Sequence, residues 1–136
     1  NTLKVDEVKA GGIFRFGDFK VRLTGLSVPD IDEQMGYQIY DFIKRRLEGR
    51  IVKVFTYTTN NMASGIVHDE RGFAFAQIVY GKSPNSRDWN TNLNELLLKK
   101  GYARVDTNYL PENLEHFKEL ERQAKVEQIG IWKPAK

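Results

Sequence analysis

One stretch of helical period stands inside a sequence whose first eighty residues otherwise alternate. Met35, Ile39, Phe42, Ile43 and Leu47 fall at spacings that share one face of a 3.6-residue helix. Lys44, Arg45 and Glu48 take the opposite face, and Gly49 offers a C-terminal stop. On either side the pattern has period two. Residues 13–16 are β-rich between Gly11-Gly12 and Gly17-Asp18, and residues 19–26 resume with Phe19, Val21 and Leu23 on one face, so Gly17-Asp18 reads as a hairpin turn. Pro29-Asp30 breaks the sheet before the helix. Residues 51–55 form a further strand, Asn60-Asn61 suits a turn, and residues 64–68 and 73–79 supply a fourth and a fifth strand. Leu3, Val5 and Val8 carry strand-like spacing ahead of them.

The remainder reads as helix. Residues 81–92 are a loop by composition. Asn92 is placed to cap the next helix, with Glu95 three positions on completing an Asn variant of the capping box. Leu93, Leu96 and Leu97 give that helix its apolar face, and Gly101 ends it. A last helix begins near Pro111, uses Leu114, Phe117, Leu120 and Ala124, and stops at Gly130; Ile131-Trp132 then packs the tail. Short strands with helices among and after them predict α+β: a small curled sheet covered by helices. An oligonucleotide-binding-type barrel has these numbers of strands, but periodicity alone does not select it.

At 136 residues the chain is expected to form a single domain, 1–136, with a proper core. No run reaches the roughly 18 apolar residues of a membrane span, so no membrane partner is expected. The chain begins at Asn1 rather than Met, which leaves a secreted or periplasmic origin open, with any leader cut away. There are no cysteines, which excludes disulfides, thiolate catalysis and cysteine zinc sites. The two histidines, His68 and His116, lie far apart and do not make a metal site. The net charge of +3 permits nucleic-acid binding without demonstrating it. The default oligomeric state is a monomer.

Three segments carry a family resemblance. Residues 21–30 (VRLTGLSVPD), residues 93–105 (LNELLLKKGYARV), and the run from Gln123-Ala124-Lys125 to Gly130-Ile131-Trp132 together resemble the staphylococcal-nuclease-like family. The resemblance is strongest over 8–133, and the 81–92 loop is longer than the family's usual connection. It implies a five-stranded oligonucleotide-binding-type β-barrel with three helices. It also implies calcium-dependent hydrolysis of DNA or RNA. In that chemistry a carboxylate positions or activates water, two arginines neutralise the phosphate, and two aspartates hold calcium. Calcium wants several hard oxygen ligands, and the developing charge wants fixed cations.

Carried over by position, the resemblance puts the first arginine at Arg22 and the water-activating carboxylate at Asp30, one methylene shorter than the family's glutamate. The two metal aspartates are replaced by Gly12 and Ser27, and Arg71-Gly72-Phe73 sets phenylalanine in the second arginine's position. Losing one preorganised donor typically costs about 10²–10³ in rate. The expected outcome is a barrel without family-type calcium nuclease activity, in which Arg22 and Asp30 are vestigial catalytic groups or a structural ion pair. No cofactor is expected.

The expected function is then that of a module binding nucleic acid (single-stranded DNA or RNA) or another protein. The alternative is a divergent metal-dependent nuclease with a rebuilt site, using calcium or another cation with Arg71, Asp69 and Glu70 as replacements. Candidate binding residues are Arg71; Tyr109, which matches a pocket tyrosine of the family; and Arg87 and Trp89 in the 81–92 loop. Phe14, Phe16 and Phe75 are expected in the core, while Phe73 is expected to face the cleft.

Overall fold

A computed structural model describes residues 2–58, 66–84, 86–107 and 113–134. Nine short strands and three helices follow in the order β1 (Thr2–Lys4), β2 (Glu7–Lys9), β3 (Ile13–Phe16), β4 (Phe19–Leu23), β5 (Leu26–Ser27), α1 (Gly36–Leu47), β6 (Ile51–Thr56), β7 (Ala74–Tyr80), β8 (Thr91–Asn92), α2 (Leu93–Lys99), β9 (Arg104–Val105) and α3 (Leu114–Glu127). The main sheet runs β1-β6-β7-β4-β3-β2, antiparallel except for the parallel pair β4 and β7.

The two ends of that order are one piece of chain. β1 pairs with β6 and β2 with β3, and between them Val5 donates to the Arg50 carbonyl while the next residue, Asp6, donates to the Arg15 carbonyl. A single bent segment therefore bonds to both edges and curls the sheet round on itself as a five-stranded barrel, which leaves neither edge open. The segment's weak alternation concealed this: Val5 and Val8 are both buried although three residues apart, because the chain bends between them. The interior is filled by Val5, Val21, Val52, Ile78 and Phe14, with Ile39, Ile43 and Leu47 of α1 closing one end. The helix starts at Gly36 because a Cβ there would stand 1.8 Å from the Asp30 carbonyl oxygen; only glycine lets the chain after Pro29 fold so tightly.

α2 is capped as predicted, the Asn92 side chain accepting from the Glu95 N–H. Its buried face is Leu93, Leu97 and Leu98 rather than Leu96, which is half-buried. Between them sits Asn94, fully buried in a run of leucines. Its amide donates to the Thr24 and Ala76 carbonyls at 3.0 and 3.2 Å, and its oxygen accepts from the Ile78 N–H. These are backbone groups at the end of the β4–β7 ladder, where the Ala76 carbonyl also accepts from the Thr24 N–H, and the buried amide joins that backbone pairing to α2. At the far end of α2, Gly101 and Gly130 stack so closely that a Cβ on either would lie within 2.4 Å of a carbonyl oxygen, fixing the tail against the helix.

Candidate functional site

A cleft of about 890 Å³ opens on the barrel where β4, β5, the turn before β7 and the end of β9 meet. Arg22, Ser27, Asp30, Asp69, Arg71 and Phe73 are among its lining residues. Cross-strand registry explains the grouping. Arg22 is opposite Phe75 on β7 and opposite Ile13 on β3, with its side chain on the outer side of the barrel wall. Ser27 is opposite Arg104 in the β5–β9 pair, and Asp106 follows with its N–H on the Gly25 carbonyl, which brings Asp106 to the same cleft.

Asp69 organises the cleft. One carboxylate oxygen accepts the N–H groups of Arg71 and Phe73 at 2.9 Å each, shaping the turn through Gly72; the other accepts from Arg22 Nη1 at 3.0 Å. The Asp69 side chain is only 9% exposed, whereas that of Arg22 is 44% exposed. Burial is the strongest single influence on the carboxyl and pushes its pKa up. The Phe73 N–H, the Arg22 guanidinium and the Arg71 N–H together outweigh it and leave Asp69 below the ordinary carboxylate value. Arg22 also stands 5.9 Å from the Phe75 ring.

An ion pair of Arg22 with Asp30 does not form; the partner of Arg22 is Asp69, 47 residues along the chain. Asp30 instead begins the corner before α1, its N–H donating to the Glu33 side chain and its carboxylate lying over the backbone of Gly11. Phe73 does line the cleft, but so does Arg71, so two arginines border the cleft rather than Arg22 alone. Gly72, with φ of +85°, turns the chain at the point where the sequence left the direction of Arg71 open. Against these two arginines stand five carboxylates: Asp30, Glu33, Asp69, Glu70 and Asp106.

The calcium that the resemblance implies does not fit the groups at its expected position. Gly12 has φ of +71°, and a Cβ there would lie 2.8 Å from Val28 Cγ2 and 3.2 Å from Val28 Cβ. Ser27 offers one hydroxyl. Among the described residues no three His, Cys, Asp or Glu side chains are grouped to hold a metal ion, whereas calcium takes about 6–8 oxygen ligands.

The remaining candidates lie elsewhere. Phe14 and Phe16 are buried in the core as expected; Phe75 is buried too, but on the outer side of β7 opposite Arg22, where it lines the cleft instead of filling the core. Trp89 is half-buried, with its indole folded towards β6, and Arg87 is exposed beside it; neither lines the cleft. Tyr109 lies outside the described residues. His116 meets Glu95 at 3.3 Å on the helical side. The sequence did not single out Asn94, and it offered Asp69 only as a replacement carboxylate; Asn94 joins backbone groups far apart in the chain, and Asp69 joins its own turn to Arg22, 47 residues away.

The model of the family described as "Staphylococcal nuclease homologue" matches residues 20–134. The uncharacterized protein MJ1439 of Methanocaldococcus jannaschii is similar at 28% identity over an alignment of 136 residues, covering 84% of this chain and 61% of that protein. The chain thus spans less than two thirds of that relative's length. Among the described residues no helix is long and apolar enough to cross a membrane.

Proposed function

The chain belongs to the staphylococcal nuclease homologue family, and from that premise we propose that it is a binding module whose cleft does not support calcium-dependent phosphodiester hydrolysis. The packing at Gly12 carries this reading. A ligand side chain at that position has no room beside Val28, so the position implied for one metal aspartate is closed sterically as well as chemically. The charge balance points the same way. A phosphodiester entering the cleft meets five carboxylates and two arginines, one of which already donates to Asp69. Without an interposed cation that arrangement repels a polyanion.

The alternative, a divergent metal-dependent nuclease, is favoured by one observation: Arg71 lines the same cleft as Arg22, with Asp30, Glu70 and Asp106 on the same walls. The two readings separate in one assay. The protein is incubated with labelled single-stranded DNA and RNA in calcium, magnesium, manganese or zinc, with a chelator control. The module reading expects no cleavage above buffer in any of them. Metal-dependent cleavage abolished by chelator and by Arg22→Ala or Arg71→Ala overturns it.

A further inference from the structure

Resting on the binding-module reading, we propose that single-stranded nucleic acid is bound on the outer face of β6, with its bases stacked on Phe55 and Trp89 and its phosphates on Lys53 and Arg87.

The face is built from strand period. Val52 and Val54 point into the core, which turns Lys53 and Phe55 outward. Phe55 is 51% exposed, whereas the aromatics of β3, β4 and β7 are buried or half-buried. Across the sheet Lys53 is opposite Val79 and Phe55 is opposite Gln77. Trp89 comes onto this face from the loop before β8. It holds φ of +49°, a left-handed backbone that bulky side chains rarely adopt, and in that conformation its ring stands near Lys53.

The side chains alternate in charge and π-surface. Lys53 Nζ lies 5.9 Å from the Phe55 centroid and 5.7 Å from the Trp89 centroid; Arg87 Cζ lies 6.0 Å from the Trp89 centroid. Two rings and two cations therefore succeed one another as Phe55, Lys53, Trp89 and Arg87. Among the described residues neither Lys53 nor Arg87 forms an ion pair with a carboxylate. Asp88, next to Arg87 in the chain, forms no such pair with it, in contrast to Asp69 with Arg22.

That chemistry selects the partner. Two unpaired cations call for an anion, and an exposed ring beside a half-buried one calls for flat apolar faces at intervals along it. A single strand offers both, since every base has a π-face and every link a phosphate. A duplex hides its base faces, and an acidic peptide satisfies the cations but leaves the rings without stacking partners. Arg46 and Lys100 stand over Phe42 in a similar way, but Tyr102 already closes edge-on against that ring, so the platform is on β6.

The test uses fluorescein-labelled oligo-dT and oligo-rU of about 15 nucleotides, long enough for one barrel face. Anisotropy gives the affinity, and quenching of Trp89 emission in a Trp132→Phe background reports contact at the ring. Phe55→Ala and Trp89→Phe/Phe55→Ala are each expected to weaken binding roughly tenfold or more. Lys53→Gln is expected to lower the log–log salt slope by about 0.7. Phe55→Ala removes an exposed side chain, and an unchanged thermal melt shows that it leaves the fold intact. Three results overturn the inference: binding that survives Phe55→Ala and is lost in Arg22→Ala; poly-L-glutamate binding as tightly as either oligonucleotide; or no binding of either strand. None of these restores hydrolysis, so the module reading fails separately, by cleavage in the metal panel.

Discussion

The cleft and the outer face of β6 each set a cation 5.9 Å from a phenylalanine ring, Arg22 by Phe75 in one and Lys53 by Phe55 in the other. The surroundings make them opposite. Arg22 donates to a buried carboxylate whose second oxygen is fixed by two backbone N–H groups, so its charge is answered inside the protein. Lys53 has no carboxylate partner among the described residues, and its ring neighbour is half open to solvent. A cation beside an aromatic ring becomes a binding group only when nothing nearby already neutralises it. The family's position for phosphate recognition is thus the more acidic of the two regions, while further along the same outer face, across β7, Lys53 and Arg87 have no carboxylate partner among the described residues.

The largest expected perturbation strikes what lies behind the cleft. Asn94→Ala removes the buried amide that accepts from the Ile78 N–H and donates to the Thr24 and Ala76 carbonyls, at a cost of about 3 kcal/mol in a urea unfolding titration. A loss below about 1 kcal/mol would show that water or a shift of β7 replaces the amide. Next is Gly12→Asp, which adds the missing carboxylate but drives its Cβ into Val28; it is expected to destabilise by about 2 kcal/mol without gaining calcium affinity by calorimetry. A stable Gly12→Asp variant that takes up calcium would break the account of the cleft.

Asp69→Asn is gentler, since the amide oxygen still accepts from the turn while the charge is removed. Because Arg22 is 44% exposed and screened, the expected loss is about 1 kcal/mol. Freed of its counter-charge, Arg22 should raise affinity for a nucleoside bisphosphate about threefold, with Trp89 quenching by oligo-dT unchanged. Equal changes in both signals would merge the two regions into one site.

The smallest difference is in pH. The folded pKa of Asp69 is lowered, so its pairing stabilises the protein fully above the ordinary carboxylate value of about 4 and is lost as pH falls through the lowered folded value. The stability gap between wild type and Asp69→Asn should therefore narrow on acidification, read from thermal melts at stepped pH. Oligonucleotide quenching of Trp89 should not follow that narrowing, since Asp69 is no part of the β6 face.

Local rules reached far into this fold. The stripe from Met35 to Leu47 marked α1, Asn92 and Glu95 marked the start of α2, and alternation marked β3, β4, β6 and β7. Barrel closure was not legible, because it depends on a bend between Val5 and Asp6 that breaks period two. Asn94 was hidden inside a leucine run, since its partners Thr24 and Ala76 are 70 and 18 residues away. The cleft was half legible. Arg22, Ser27 and Asp30 line one cleft, while the pairing of Arg22 depends on a turn that Asp69 builds with its own backbone neighbours. Trp89 was visible as an aromatic in a basic loop; that Lys53 would sit between it and Phe55 required the register of β6.

The division between the two regions is tested most directly by two-dimensional NMR of the labelled protein titrated with oligo-dT. The account predicts progressive shifts at the Trp89 indole N–H and at the Lys53 and Phe55 amides, with the amides of Ser27, Asp30, Arg71 and Asp106 unmoved. Shifts confined to Arg22, Arg71 and the other cleft residues, with the β6 face and the Trp89 indole silent, would contradict it.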